Sequence, residues 1–336
     1  MKPLLTVKNL CVSLRTSEDL VKIVDRVNIT INKGETVGLV GETGVGKTVT
    51  AFAILGILQP IGKTKPLWKI EGEVLFKGKD LLRLSEEEIR AVRGTDISLI
   101  TQNPIASLHP IEVIGHQTGE TLDELEKLKS QKILKVVVEH LGKVEISDAR
   151  KRFHHFREQF SGGEGQRILI AMALIRNPSL LIADEPTSSL DVTVQRQILD
   201  LLRAMKEQFS LAMLLITHNL GVIAEMSDYV YVLYAGKIAE HGDVKLIFKE
   251  PAHPFTRGLL ASVPRIDRDF FEFGGIPGEP PNPLYPISGC KFHPRCRCAK
   301  PICSQEVPEL IEVQPKHFAA CLRLDEIQRQ QKKMKK

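Results

Sequence analysis

Along the first thirty residues apolar and polar positions nearly alternate. LTVKNLCVSL and DRVNITI carry the β-branched pattern of strands, split by the polar RTSED and closed at the turn-former NKGE. The rhythm then changes. TVGLVGETGVGKTVTAFAILGIL has a continuous apolar run at residues 37–40, a glycine-rich loop, and a stretch whose spacing predicts a helix stopping before Pro60. EGEVLF (71–76) predicts another strand. Between about 115 and 155 apolar residues recur at helical spacing in a charged background, as in TLDELEKLKSQKILKVVVEHL. Strands return at LLIAD (180–184), AMLLIT (212–217) and YVYVLYAG (229–236). Short apolar strands alternating with helices predict an α/β fold, with a mostly parallel sheet, an antiparallel β part and a helical insertion. From about residue 264 prolines and glycines dominate, as in GGIPGEPPNPLYPISGC, which predicts a linker or an irregular wrapping segment.

Composition removes several function classes. At 336 residues, 43% apolar and 26% charged, the chain has the make-up of a globular protein with one large domain and an appendage, or with two domains. The net charge of +5 comes from 46 basic residues interleaved with 41 acidic ones, which reads as solvated surface and argues against nucleic acid as a partner. Only QRQQKKMKK, in the final stretch, is uniformly polar and basic. MKPLLTVKNL lacks the apolar core of a secretory signal, and no run approaches the ~20 apolar residues that span a bilayer. The expectation is a cytosolic chain with reduced thiols. GCKFHPRCRCAKPICSQEVPEL (289–310) holds four cysteines, and Cys321 follows. In a reducing compartment such crowding predicts metal or cluster ligation rather than disulfides. Cys11, alone on an apolar segment, predicts a small core residue.

GETGVGKT fits the phosphate loop G-x-x-x-x-G-K-[ST] between a strand and a helix. Its residues are Gly41, Glu42, Thr43, Gly44, Val45, Gly46, Lys47 and Thr48, with Val49 opening the helix. Glycines let backbone N–H groups converge on phosphate oxygens, and the helix N-terminus adds positive potential. Lys47 suits the β- and γ-phosphates, and the Thr48 hydroxyl suits Mg²⁺. LLIADEP ends an apolar strand in two carboxylates. Asp184 is placed to reach the Mg²⁺ sphere, and Glu185 to polarise a water for in-line attack on the γ-phosphorus.

Three further stretches, FSGGEGQR (160–167), SSLDV (188–192) and ITHN (216–219), together with ITQNP (100–104), follow in the order and spacing of an ABC-type ATPase domain, which residues 1–260 resemble. That resemblance implies ATP and Mg²⁺ as cofactors, a helical subdomain over about 103–160, and a head-to-tail dimer closing on two ATP molecules. It makes Gln102 a ligand to Mg²⁺ or the attacking water, and His218 a partner of the γ-phosphate. Ser161, Gly162, Gly163 and Glu164 would face the ATP bound by the other subunit, with Asp191 at the dimer seam. Two positions depart from the family pattern. Glu164 and Gly165 stand where an amide or apolar residue and a basic one are usual, so an acid opposes a phosphate of like sign. Leu14 stands where relatives place an aromatic that stacks on adenine.

HPFTRGLLASVPR (253–265) and IPGEPPNPLYPISGCKFHPRC resemble the C-terminal extension of ATP-binding subunits of oligopeptide and dipeptide importers, a group that includes nickel importers. The resemblance gives the extension residues 261–325, followed by a basic tail at 326–336. It implies an iron–sulfur cluster on Cys290, Cys296, Cys303 and Cys321, with Cys298 extra. Four thiolates are the usual ligand set of a 4Fe–4S centre. They also suit structural zinc, although zinc knuckles pair cysteines more closely. Unligated thiols are the third reading. The implied function is the ATP-hydrolysing subunit of an importer for peptides, nickel or oligosaccharides at the cytoplasmic face of the membrane. Two permease subunits and an extracytoplasmic solute-binding protein would be its partners. The alternative is a soluble ABC ATPase of DNA repair or translation.

Overall fold

The computed structural model describes residues 2–17, 19–58, 67–126, 130–263 and 275–326. The chain divides into two compact units, residues 1–83 with 216–336 and residues 84–215. The tail at 327–336 and the link at 264–274 lie outside the described residues.

The first unit opens with β1 (Leu5–Arg15), β2 (Leu20–Ile31), β3 (Thr36–Val40), α1 (Lys47–Ile54), β4 (Trp68–Phe76) and β5 (Lys79–Asp80). β2-β1-β4-β5 form an antiparallel sheet. It buries Leu5, Val7, Leu10 and Val12 of β1 and leaves Lys8 and Asn9 exposed, the one-sided pattern that alternation predicts. Cys11 is half-buried on the interior strand β1, and its sulfur accepts from the Arg26 N–H at 3.3 Å, so it lies on a partly exposed face of the sheet rather than in the core. β3 is buried at all five positions and pairs in parallel with a later strand. α1 stops at Ile54, short of Pro60, because Gly56 turns left-handed at φ 68°.

The second unit runs through α2 (Glu86–Val92), β6 (Ile97–Ile100), α3 (Pro104–Ser107), α4 (Ile114–Glu126), α5 (Ser130–Lys143), α6 (Ala149–Arg152), α7 (Gly162–Leu174), β7 (Leu180–Asp184) and α8 (Val192–Phe209). The chain leaves it within β8 (Ala212–Thr217). Its strands order as β8-β7-β6, with β6 and β7 parallel. β7 and β8 are buried at every position, as strands covered on both faces must be. α8 turns Ile198, Leu199, Leu201, Leu202 and Met205 inward, and its apolar face anchors it.

Back in the first unit come α9 (Leu220–Met226), β9 (Tyr229–Tyr234), β10 (Lys237–Asp243), α10 (Val244–Lys249), α11 (Pro254–Ala261), α12 (Ile302–Gln305), β11 (Ile311–Gln314) and β12 (His317–Ala319). These strands order as β11-β12-β10-β9-β3. The α/β class with an antiparallel part is as the sequence predicts. The cysteine-bearing extension also does something that pattern did not predict: it adds the β11–β12 hairpin to the edge of β10. Glu240 on β10, fully buried, holds it there by accepting from the N–H groups of Ala252 (2.7 Å) and His253 (2.8 Å) and hydrogen-bonding His317 Nε2 (2.6 Å).

Candidate functional site

In the first unit the phosphate-loop residues form one continuous cradle between β3 and α1. Gly41 passes so close to β9 that a Cβ there would lie 2.2 Å from the Leu233 carbonyl, so no larger residue fits without moving backbone. Gly46 caps α1 with φ 104° and no side-chain acceptor, which leaves the first N–H groups of the helix available to an anion. Lys47 is 6% exposed, and its Nζ donates to the carbonyls of Gly41 and Glu42, both at 2.9 Å. Thr48 and Val49 are half-buried on the first turn of the helix. His218 stands exposed just past β8, beside Asn219, whose side chain caps α9. Leu14 lies opposite Val21 and Trp68 in the antiparallel sheet.

In the second unit β7 delivers Asp184 and Glu185 at its C-terminal end, 3% and 8% exposed. Glu185 has φ 51°, a left-handed conformation that a long side chain adopts only where its surroundings impose it, and Ser188 Oγ donates to its carbonyl at 3.1 Å. Gln102 is exposed two residues beyond β6. Ser161 caps α7 through a capping box: its Oγ accepts from the Glu164 N–H, and Glu164 Oε2 accepts from the Ser161 N–H at 2.9 Å. Asp191 caps α8, accepting from the Val194 N–H at 3.0 Å. The two helix starts meet because Gly163 has no side chain, for a Cβ would lie 2.7 Å from Val194 Cγ1. Ser161, Gly162, Gly163 and Asp191 thus share one corner of the unit. Sequence reasoning missed Arg152, which pairs with Glu164 and stacks 4.1 Å over Phe160. Together with the capping hydrogen bonds, Arg152 holds the Glu164 carboxyl down at about 2.

In the extension Cys290, Cys296, Cys298, Cys303 and Cys321 all line one cavity of about 20 Å³, and none forms a disulfide. Burial raises the thiols of Cys290, Cys296 and Cys321, the last two to about 12 and about 11. The Cys290 N–H donates to the Cys303 carbonyl at 2.8 Å, which ties the two ends of the segment together. Among the described residues no three His, Cys, Asp or Glu are grouped tightly enough to hold a single metal ion.

Sequence and structure comparisons converge. Residues 24–188 match the ABC transporter family, and residues 239–303 match the oligopeptide/dipeptide transporter C-terminal region. The chain is 45% identical to the dipeptide transport ATP-binding protein DppD of Bacillus subtilis over 92% of its length and 91% of that protein. It is 44% identical to the oligopeptide transport ATP-binding protein OppD of Haemophilus influenzae, over 92% of this chain and 94% of that one. Among solved structures, the bacterial ABC transporter cassette MJ0796, a dimer, aligns with TM-score 0.62 at 25% identity, covering 71% of this chain and 98% of the cassette. The cbiO1 protein of Clostridium perfringens, part of the ABC transporter complex cbiONQ, gives TM-score 0.62 at 26% identity over 74% and 92%. Among the described residues no helix is long and apolar enough to cross a membrane.

Proposed function

Because this chain belongs to the ABC transporter family, among the ATP-binding subunits of oligopeptide and dipeptide transporters, we propose that it hydrolyses ATP to drive peptide import through membrane permease subunits that it joins from the cytoplasmic side. The carrying observation is that one chain joins the phosphate loop on β3 and α1 to the transporter-type extension on β10. Relatives named for transport favour this reading over DNA repair or translation. A solute-binding protein on the far side supplies the peptide.

Lys47 and the loop N–H groups take the β- and γ-phosphates. Thr48, Gln102 and Asp184 are the residues that would hold Mg²⁺, which neutralises phosphate charge when bound. The burial of Asp184 at the end of an apolar strand suits that role, since a carboxylate there gains from a cation. Glu185 orients a water and accepts its proton as the water's oxygen bonds to the γ-phosphorus and the bond to the ADP oxygen breaks. His218 steadies the γ-phosphate. Ser161 to Glu164 serve the ATP of a second cassette in a head-to-tail dimer, with Asp191 at the seam; the dimeric cassette relative supports this assembly.

Glu185→Gln is expected to leave ATP binding intact, stop turnover and trap an ATP-bound dimer, whereas Lys47→Ala weakens binding itself. Phosphate release near the wild-type rate in the Gln variant would overturn the role of Glu185.

The cysteine cradle is read as a 4Fe–4S site on Cys290, Cys296, Cys303 and Cys321, with zinc as the runner-up. Its support is that all four line one cavity without a disulfide. The raised thiols must lose their protons on loading. Protein purified without oxygen is expected to be brown and to hold about four irons per chain. Cys303→Ser should bleach it while nucleotide binding persists. Colourless protein with one zinc would overturn the cluster.

A further inference from the structure

The phosphate loop is held from outside the nucleotide-binding segment. Glu42, its second residue, points its carboxylate at Arg295, which lies between Cys290 and Cys296 in the extension. Arg295 Nη1 donates to Glu42 Oε2 at 2.6 Å and Nη2 to Oε1 at 2.9 Å, the two-pronged fork that fixes both distance and plane. The other donors are also used: Nε on the Pro277 carbonyl at 2.7 Å and Nη2 on that of Gly278 at 3.0 Å, with the Tyr234 hydroxyl 3.4 Å from Nη1. The Arg295 side chain is 8% exposed and that of Glu42 21%, so water screens the pair weakly. A second tie runs beside it. Lys291 Nζ donates to the Ala235 carbonyl at 2.7 Å, and the next residue, Gly236, donates its N–H to the Val45 carbonyl of the loop at 3.0 Å.

Glu42 is a poor choice for a loop that must receive a triphosphate, unless its charge is cancelled. Its backbone carbonyl also holds the Lys47 ammonium at 2.9 Å, so whatever fixes Glu42 helps to fix Lys47. We propose that Arg295 is a positioning residue for ATP: by neutralising Glu42 and locking its side chain, the cysteine-bearing extension sets the nucleotide affinity of the phosphate loop. This rests on the reading of residues 41–48 as the ATP loop, and it needs no metal in the cradle. The short turn His293–Arg295 is anchored at both ends by cysteine backbone, with the His293 N–H on the Cys290 carbonyl at 2.9 Å and the Cys296 N–H on the His293 carbonyl at 3.2 Å. The fold of the cradle therefore decides where the guanidinium stands.

The test is direct binding of a fluorescent ATP analogue to the full chain and its variants. Arg295→Gln is expected to weaken binding about tenfold, the loss typical of one broken charge-assisted pair. Glu42→Gln, which removes the repelling charge and keeps an acceptor for Arg295, is the background in which the effect of Arg295 is then read. The double variant Glu42→Gln, Arg295→Gln should recover most of the affinity, which a merely structural role for Arg295 would not allow. The loss should show in KM for ATP rather than kcat. Wild-type affinity in Arg295→Gln would overturn the proposal, and so would a tenfold loss that Glu42→Gln fails to rescue. If Arg295→Gln does not fold, Arg295→Lys decides: it keeps the charge but not the fork, so an intermediate loss supports the proposal and none refutes it. Lys47→Ala separates the two readings, because unchanged affinity there means that the loop is not the ATP site at all.

Discussion

Glu164 shows how a single residue changes meaning once its neighbours are known. Read from sequence, it is an acid at a helix start facing a phosphate of like sign. In the folded unit its carboxylate accepts from the Ser161 N–H at 2.9 Å and pairs with Arg152, which no spacing rule connects to it. The charge is thus already matched before any nucleotide arrives. Its carboxyl sits at about 2 instead of 4.5, chiefly through the Arg152 pair. A carboxyl lowered on folding stabilises the native state above its unfolded value and loses that contribution as pH falls towards the folded one. Glu164→Gln should therefore cost about 1 kcal/mol at neutral pH, well short of the full shift because the pair is partly solvated. The cost should fade between about pH 4.5 and 2. Denaturant midpoints of both chains over that range check it, and a constant difference down to pH 2 would mean that the Gln variant fails for another reason.

At the scale of elements, what was legible follows from how each element is stabilised. β7 and β8 fall at residues 180–184 and 212–217, as expected from sequence, because a strand buried on both faces must be an unbroken apolar run bounded by polar residues. The loop between β3 and α1 was legible for a different reason: its chemistry needs particular residues at fixed spacing. The helical stretch over 115–155 resolves into α4, α5 and α6, with Glu145 and Asp148 left-handed between the last two; Asp takes that conformation more readily than most residues, but Glu does not announce it. The β11–β12 hairpin was illegible because its strands have four and three residues and little apolar pattern. It is held by partners far away in sequence, Glu240 on His317 and the His241 ring stacked 4.8 Å from Phe318. Arg295 was missed for the same reason, since only the fold places it against Glu42.

For the molecule as a whole, the way the extension is seated predicts how the protein responds to acid. His253 is fully buried at the start of α11, and its Nδ1 accepts from the Phe255 N–H at 3.0 Å. Protonating that nitrogen would set a donor against a donor, and burial already holds His253 down at about 4. His241, stacked between Tyr231 and Phe318 with its Nδ1 2.7 Å from the Tyr229 hydroxyl, is likewise lowered by burial to about 4. Unfolded histidines titrate near 6.5, so between about pH 6.5 and 4 the unfolded chain binds more protons than the native one. Native stability should then fall as pH drops through that window, ahead of the loss expected from Glu164 at lower pH. Urea midpoints measured from pH 7.5 to 4.5 are expected to decline, and His253→Asn, which keeps a capping acceptor but cannot titrate, should flatten part of the decline. An Asn variant as acid-sensitive as the wild type would show that the buried histidine at the foot of the extension does not govern the response.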